Sequence, residues 1–249
     1  MVKKLGGKSV ERIPIMDIRE YEKNIETLQN FCDIISDQDD EHQVLMKNWV
    51  VVRLVSMVEY NLKSFIAHII DELDISPNNI LLEDSILIKL DVLENFQSTH
   101  YTKGKMIVAH LDYLNAGKIY AIMSRINHVD YFKWYGEITE NTENIFDLFN
   151  ELYKLRNDVI HNLMDVEKSV DELKRTINLF RHISYHLITF TTINLIIFEK
   201  KWVDSEILQL IQANLPDLPN FESFLQKFKK ITKKYRTEYA PKKSYFKNN

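Results

Sequence analysis

The segment ELYKLRNDVIHNL, residues 151–163, decides how the chain is read. Just before it and along it, Ile145, Phe146, Phe149, Leu152, Tyr153, Val159, Ile160 and Leu163 recur at the three- and four-residue steps of one helical face. The spacing predicts a helix from Glu143 to about Met164 with Thr142 as its N-cap. Arg156, Asn157 and His161 sit in its last turns. Downstream, Ser169 followed by Glu172 predicts a capping box, in which each side chain satisfies a backbone N–H of the other at the first turn. That box opens a second long helix to about Lys200, with Leu173, Ile177, Phe180, Leu187, Phe190 and Ile197 inward.

Working outward, the same pattern recurs. Ile18, Tyr21, Ile25, Leu28, Cys32 and Ile35 mark a first helix over 17–36, ended by the acidic run Asp37, Asp39, Asp40 and Glu41. The strongest helix runs from about Val44 to Leu73 on the stripe Val51, Val55, Val58, Leu62, Phe65, Ile69 and Leu73, and Ser76 and Pro77 stop it. Its first half is apolar on more than one side through Trp49, Val50, Val52 and Leu54, which places it between neighbours or at a subunit contact. Residues 80–140 are expected to be mostly helical: a short helix around Ile86–Phe96, then Lys105–Leu114 and Lys118–Ile126, separated by Gly117. The cluster Tyr131, Phe132, Trp134, Tyr135 fits a strand or a packed loop equally well. Beyond Trp202 the pattern gives a short helix to Ala213, a break at Pro216 and Pro219, and a helix from Phe221 to about Tyr235.

Composition agrees with an all-α fold. Five Gly and five Pro in 249 residues leave little material for the turns of a many-stranded sandwich or barrel. A hydrophobic fraction of 45% with 27% charged residues is that of a globular domain, so disorder is excluded. Leu187–Phe198, the most apolar stretch, is too short for a bilayer that needs about 20 residues and reads as a buried helix. No membrane partner is expected. The N-terminal MVKKLGGKSVERIP has no apolar run after its lysines, so the expected location is cytoplasmic. Cys32, the single cysteine, is expected to be a core thiol.

Charge is unevenly spread. Residues 227–249 hold nine Lys or Arg and one acid, Glu238, for a net of +8; of the chain's 32 bases and 36 acids this leaves 23 and 35, or −12, for the first 226 residues. The basic end, with Phe228, Tyr235, Tyr239, Tyr245 and Phe246 interleaved, could meet RNA by phosphate neutralisation and base stacking, or be a solvated tail or a dock for an acidic partner.

Arg156, Asn157 and His161 form the pattern R-N-x-x-x-H, and in its helical setting the segment resembles the signature of the HEPN superfamily, helical domains many of which are ribonucleases. The earlier helix MVEYNLKSFIAHII, residues 57–70, resembles the first core helix of many members, so the resemblance spans about 44–200. It implies an HEPN-like helical bundle at 44–200, with an N-terminal segment and helix at 1–43 and C-terminal helices with the basic tail at 201–249. It further implies an endoribonuclease of toxin, abortive-infection or antiviral type acting on RNA such as tRNA or mRNA, a homodimer pairing two motifs, and an antitoxin or regulatory protein as a further partner. Relatives controlled through a tyrosine two residues after the motif histidine differ here, where that position is Leu163. Another class, a non-catalytic HEPN-like module holding RNA, a nucleotide or a protein, fits the same resemblance.

The chemistry can be argued from the residues alone. Cleavage of RNA by its own 2′-hydroxyl needs a base for that proton, an acid for the leaving 5′-oxygen, and a fixed cation beside the phosphate. Imidazole, with an ordinary pKa of about 6.5, and a permanently charged guanidinium suit those roles, and neither a metal nor a cofactor is required. In a regular helix Asn157 and His161 share a face, whereas Arg156 and His161 diverge by roughly 140°. Either the helix bends at the motif or a second copy completes the site. On the plainer reading Arg156 pairs with Glu151 or Asp158, and His161 merely complements the helix C-terminus.

Other signals are weaker. His182 and His186 have metal-ligand spacing but no H-E-x-x-H context or third ligand, and His186 is expected to face the motif helix. Glu59, next to Tyr60 on the early helix, resembles an acidic position near the site of some relatives and is a candidate supporting residue. The absence of G-x-x-x-x-G-K-[ST], G-x-G-x-x-G and G-x-S-x-G leaves ATPase, dinucleotide-binding and serine-hydrolase readings without their usual loops.

Overall fold

The computed structural model describes residues 18–73, 102–109, 115–140, 144–198 and 221–239, and these residues form helices and their connections, with no strand among them. The expected helices around Ile86–Phe96 and Trp202–Ala213, the stop at Ser76 and Pro77, and Thr142 lie outside the described residues. The elements are α1 (Ile18–Ile35), α2 (Asp40–Leu73), α3 (Lys103–Ala109), α4 (Ala116–Asn127), α5 (Tyr131–Thr139), α6 (Ile145–His161), α7 (Val170–Phe198) and α8 (Phe221–Glu238).

α2 is the axis of the bundle, with α1, α3, α6 and α7 packed around it. Its start is set four residues earlier than the apolar stripe suggests, because Asp39 Oδ1 accepts the His42 N–H at 3.0 Å and Asp40 and Glu41 favour the helix N-terminus. α1 buries Tyr21, Ile25, Leu28, Cys32 and Ile35 against α2 and α7, which makes Cys32 a core thiol as expected. α3 lies close against α2. A Cβ on Gly104 would stand 2.0 Å from the Ala67 carbonyl oxygen, so only glycine permits the approach, and the Gly104 N–H donates to Asp71 Oδ1 at 2.7 Å.

Gly117 does not separate helices; it lies inside α4, which Asn115 caps through its Oδ1 and the Lys118 N–H at 2.8 Å. The aromatic cluster from Tyr131 is helix α5, not a strand or loop. Tyr131, Trp134, Tyr135 and Ile138 follow helical steps of three, one and three and are all buried, a pattern hidden by the half-buried Phe132 between them. Trp134 packs on Tyr131, Phe190 and Phe228.

The capping box forms as expected: Ser169 N–H and Oγ donate to Glu172 Oε2, and Glu172 N–H donates back to Ser169 Oγ at 3.2 Å. α7 is covered on every side from Ile183 to Leu195, carrying Thr189, Thr191, Thr192 and Asn194 into the core. Thr191 and Asn194 are bonded there. Asn127 Nδ2 donates to Met123 O and to Thr191 Oγ1, Asn194 Nδ2 donates to Asn127 O and Oδ1, and the Tyr131 hydroxyl donates to Leu187 O at 3.0 Å.

The first part of the basic end is not a loose tail. α8 buries Phe224, Phe228, Ile231 and Thr232 against α5 and α7, pairs Lys227 with Glu140 and Lys234 with Glu137, and receives the Trp134 Nε1–H on Thr232 Oγ1 at 2.9 Å. Lys229, Lys230 and Lys233 remain on its exposed side, and residues 240–249 lie outside the described residues. One continuous apolar core takes in buried residues of α1 through α8.

Candidate functional site

The motif lies at the end of α6, which runs unbroken as an α-helix through Arg156 and Asn157 to His161. It begins one residue after Asn144, whose Oδ1 accepts the Phe146 N–H at 3.0 Å, and it ends three residues before Met164. The end is set by Asp158, whose carbonyl accepts both the Asn162 and Met164 N–H groups at 3.1 Å, with Leu163 between them in the left-handed region at φ 51°. Leu163, expected on the inner face, is 87% exposed for that reason: the chain leaves the helix and turns its side chain outward.

The connection that follows is pinned to the start of α2. Asn48 Oδ1 accepts the Val166 N–H at 2.9 Å, Asn48 Nδ2 donates to Asp165 Oδ1 at 3.1 Å, and Lys47 Nζ donates to Lys168 O. Farther along α2, Glu59 faces Tyr153 of α6, so the two helices run antiparallel. The motif therefore sits in a seam clasped at both ends.

Within the seam, helix periodicity puts Tyr153, Arg156, Asn157 and Ile160 on one face of α6. Arg156 is half-buried, and its guanidinium donates to Asn157 Oδ1 at 2.9 Å rather than to Glu151 or Asp158. Asp158 is instead occupied by the Asn162 side chain at 2.9 Å. Asn157 and His161 are exposed. Because α6 is an unbroken α-helix through the motif, its periodicity keeps Arg156 and His161 of one chain on diverging sides, and no hydrogen bond joins them. Large apolar side chains are exposed beside the motif and on α2: Leu163, Met164 and Ile160 of the α6 end are 87%, 54% and 37% exposed, and Leu45, Trp49 and Tyr60 of α2 are exposed too. Trp49 is steadied by Phe31 of α1, 4.8 Å between ring centroids.

Glu59 is half-buried beside the Tyr153 hydroxyl. Burial first, then the Glu59 carboxylate, pushes the Tyr153 phenol far above its ordinary pKa, while the Arg156 guanidinium pulls it back.

His186 belongs elsewhere. It faces α5, not the motif helix: its Nδ1 shares a hydrogen bond of 2.8 Å with the Tyr135 hydroxyl and its ring stacks on Phe190 at 5.2 Å. Burial, with a lesser push from His182, holds its pKa down at about 4. His182 is exposed, and among the described residues no group of three His, Cys, Asp or Glu side chains could hold a metal. No described helix is long and apolar enough to cross a membrane. A groove of about 510 Å³ lies between α6 and the first half of α7, lined by Leu148, Leu155, Asp158, Arg175 and Leu179, on the side of α6 away from Arg156. Comparison of the chain with protein-family models, curated proteins and solved structures finds no match.

Proposed function

We propose that this chain is a metal-independent endoribonuclease of HEPN type, acting in a toxin or antiviral defence setting, whose site is made when two copies pair their Arg156, Asn157 and His161. One observation carries the reading: Asn157 and His161 are left accessible on an unbroken helix whose end also exposes Ile160, Leu163 and Met164, instead of being consumed in packing. A monomer rarely leaves leucine, methionine and tryptophan exposed together without a partner to cover them. A two-fold pairing across this seam covers the same patch on both copies and brings each Arg156 toward the other copy's His161.

In that assembly one His161 takes the proton of the RNA 2′-hydroxyl, and the 2′-oxygen attacks phosphorus. The bond to the 5′-oxygen breaks, and the second His161 protonates that oxygen, leaving a 2′,3′-cyclic phosphate and a 5′-hydroxyl. Arg156 neutralises the crowded phosphate with its remaining N–H donors, and Asn157 holds the guanidinium through their mutual hydrogen bond.

The test is incubation of the purified protein with total RNA and tRNA in excess EDTA, with the cut ends mapped. Cyclic phosphate ends, lost by at least about 100-fold in His161→Ala and Arg156→Ala, are expected from the size of general acid–base and electrostatic contributions. Strict dependence on Mg²⁺, or equal cutting by the variants, sinks the proposal. If the protein binds RNA without cutting it, the non-catalytic module takes its place.

A further inference from the structure

α8 presents two unlike faces. On one, Phe224, Phe228, Ile231 and Thr232 are buried, flanked by Lys227 and Lys234, which pair with Glu140 and Glu137 of α5. On the other, Lys229, Lys230 and Lys233 are exposed and fall within an arc of about 100° opposite Phe228. Among the described residues no ion pair engages any of these three. Their spacing works against the helix: Lys229 and Lys233 stand four apart and Lys230 and Lys233 three apart, so like charges repel along one face with no acid between them. Docking does not need these charges, because the buried face and the two pairs to α5 already hold the helix. An anion supplied from outside the chain would relieve the repulsion.

We propose that this face of α8 is a binding surface for the phosphate backbone of nucleic acid, on a different helix from the motif. The surroundings of the three lysines favour phosphate over other partners. A protein partner is anchored by aromatic or aliphatic side chains, and lysine is depleted from such interfaces. None of the exposed large apolar side chains among the described residues is on α8. A membrane surface takes up the apolar face of a basic helix, and here that face lies inside the core. What α8 leaves outside is a set of flexible ammonium groups on a fixed helix, suited to neutralising phosphates one by one and releasing their counterions. Residues 1–226 carry a net −12, so α8 supplies attraction where the body of the chain repels a polyanion. With no aromatic ring on this arc, the face reads charge and not base sequence.

As a hold on substrate the face rests on the nuclease reading; as a phosphate-binding surface it does not, and the experiment separates the two. Binding of a short RNA duplex and a DNA duplex of equal length is measured over a range of salt, in EDTA and with His161→Ala protein so that cutting does not intervene. Replacing Lys229, Lys230 and Lys233 together by Gln should leave the melting transition unchanged and lower the slope of log affinity against log salt by about 2–3. Affinity at low salt should fall at least about 10-fold for both duplexes. Arg at the same three positions should keep the original slope. Gln in place of the exposed Lys23, Lys105 and Arg175, on α1, α3 and α7, makes the same change in net charge and should move the slope by less than about 1. An unaltered slope in the α8 variant, or an equal drop in this control, overturns the proposal. So does displacement of the duplexes by polyglutamate as effectively as by RNA, which would make the face a dock for acidic protein. If the wild type binds through α8 but cuts no RNA, the nuclease reading falls and the face stands; if it cuts RNA and the α8 variant binds as before, the reverse holds.

Discussion

The seam between α2 and the end of α6, and the cluster where α4, α5, α7 and α8 meet, use the same kinds of residue and leave them in opposite states. In the cluster, His186 is stacked and bonded, Asn127 and Asn194 bond each other, and Trp134 is fully buried. In the seam, His161 and Asn157 face water, and Trp49 is 48% exposed. Polar groups taken out of water must find partners inside the chain, so the cluster is a closed network whose loss costs stability. Groups left in water with apolar neighbours keep their bonding capacity for something outside the chain. Residue type therefore does not separate structural from functional histidine, asparagine and tryptophan here; the state of their surroundings does.

The sharpest way to break this contrast is at Trp134. Trp134→Ala empties a filled site and strips Thr232 of its donor, so urea unfolding should show a loss of about 3–5 kcal/mol. Arg156→Ala in the seam should cost under about 0.5 kcal/mol, as a change away from the core. A comparable cost at the two positions would mean that the seam is structural.

His186 comes next. Its pKa is lowered to about 4 in the folded chain, below the ordinary imidazole value, so the unfolded chain binds the extra proton and stability is lost as pH falls through about 6.5. Between about pH 6.5 and pH 5, above the range where carboxylates titrate, the loss should reach about 2 kcal/mol and then level off near the folded value. Unfolding curves of His186→Leu across that window should be flatter; an unchanged slope would refute the assignment.

The smallest effect sharpens the contrast at Leu163. Leucine at φ 51° is strained, and glycine is not, so Leu163→Gly should be neutral to stabilising by up to about 1 kcal/mol in the monomer. If the seam is covered by a second copy, the same change should weaken self-association measured by sedimentation. A monomer that loses stability on this substitution would show that Leu163 makes packing contacts within its own chain.

What the sequence determined by itself was the set of long helices and their faces. α1, α2, α6, α7 and α8 follow from apolar spacing because an α-helix repeats every 3.6 residues, and the capping box at Ser169 follows from local backbone need; both depend on neighbours in the chain. Arg156, Asn157 and His161 were legible as a motif on such a helix for the same reason. The tertiary structure alone decided the rest. That Tyr131–Thr139 is a helix depends on α7 and α8 covering its aromatics, and that the basic segment from Lys227 docks depends on Glu137 and Glu140 of α5. That the connection after α6 runs along the start of α2 depends on Asn48 holding Val166 and Asp165. Those contacts join residues far apart in the chain, and a local periodicity carries no information about which distant helix will lie on the other side.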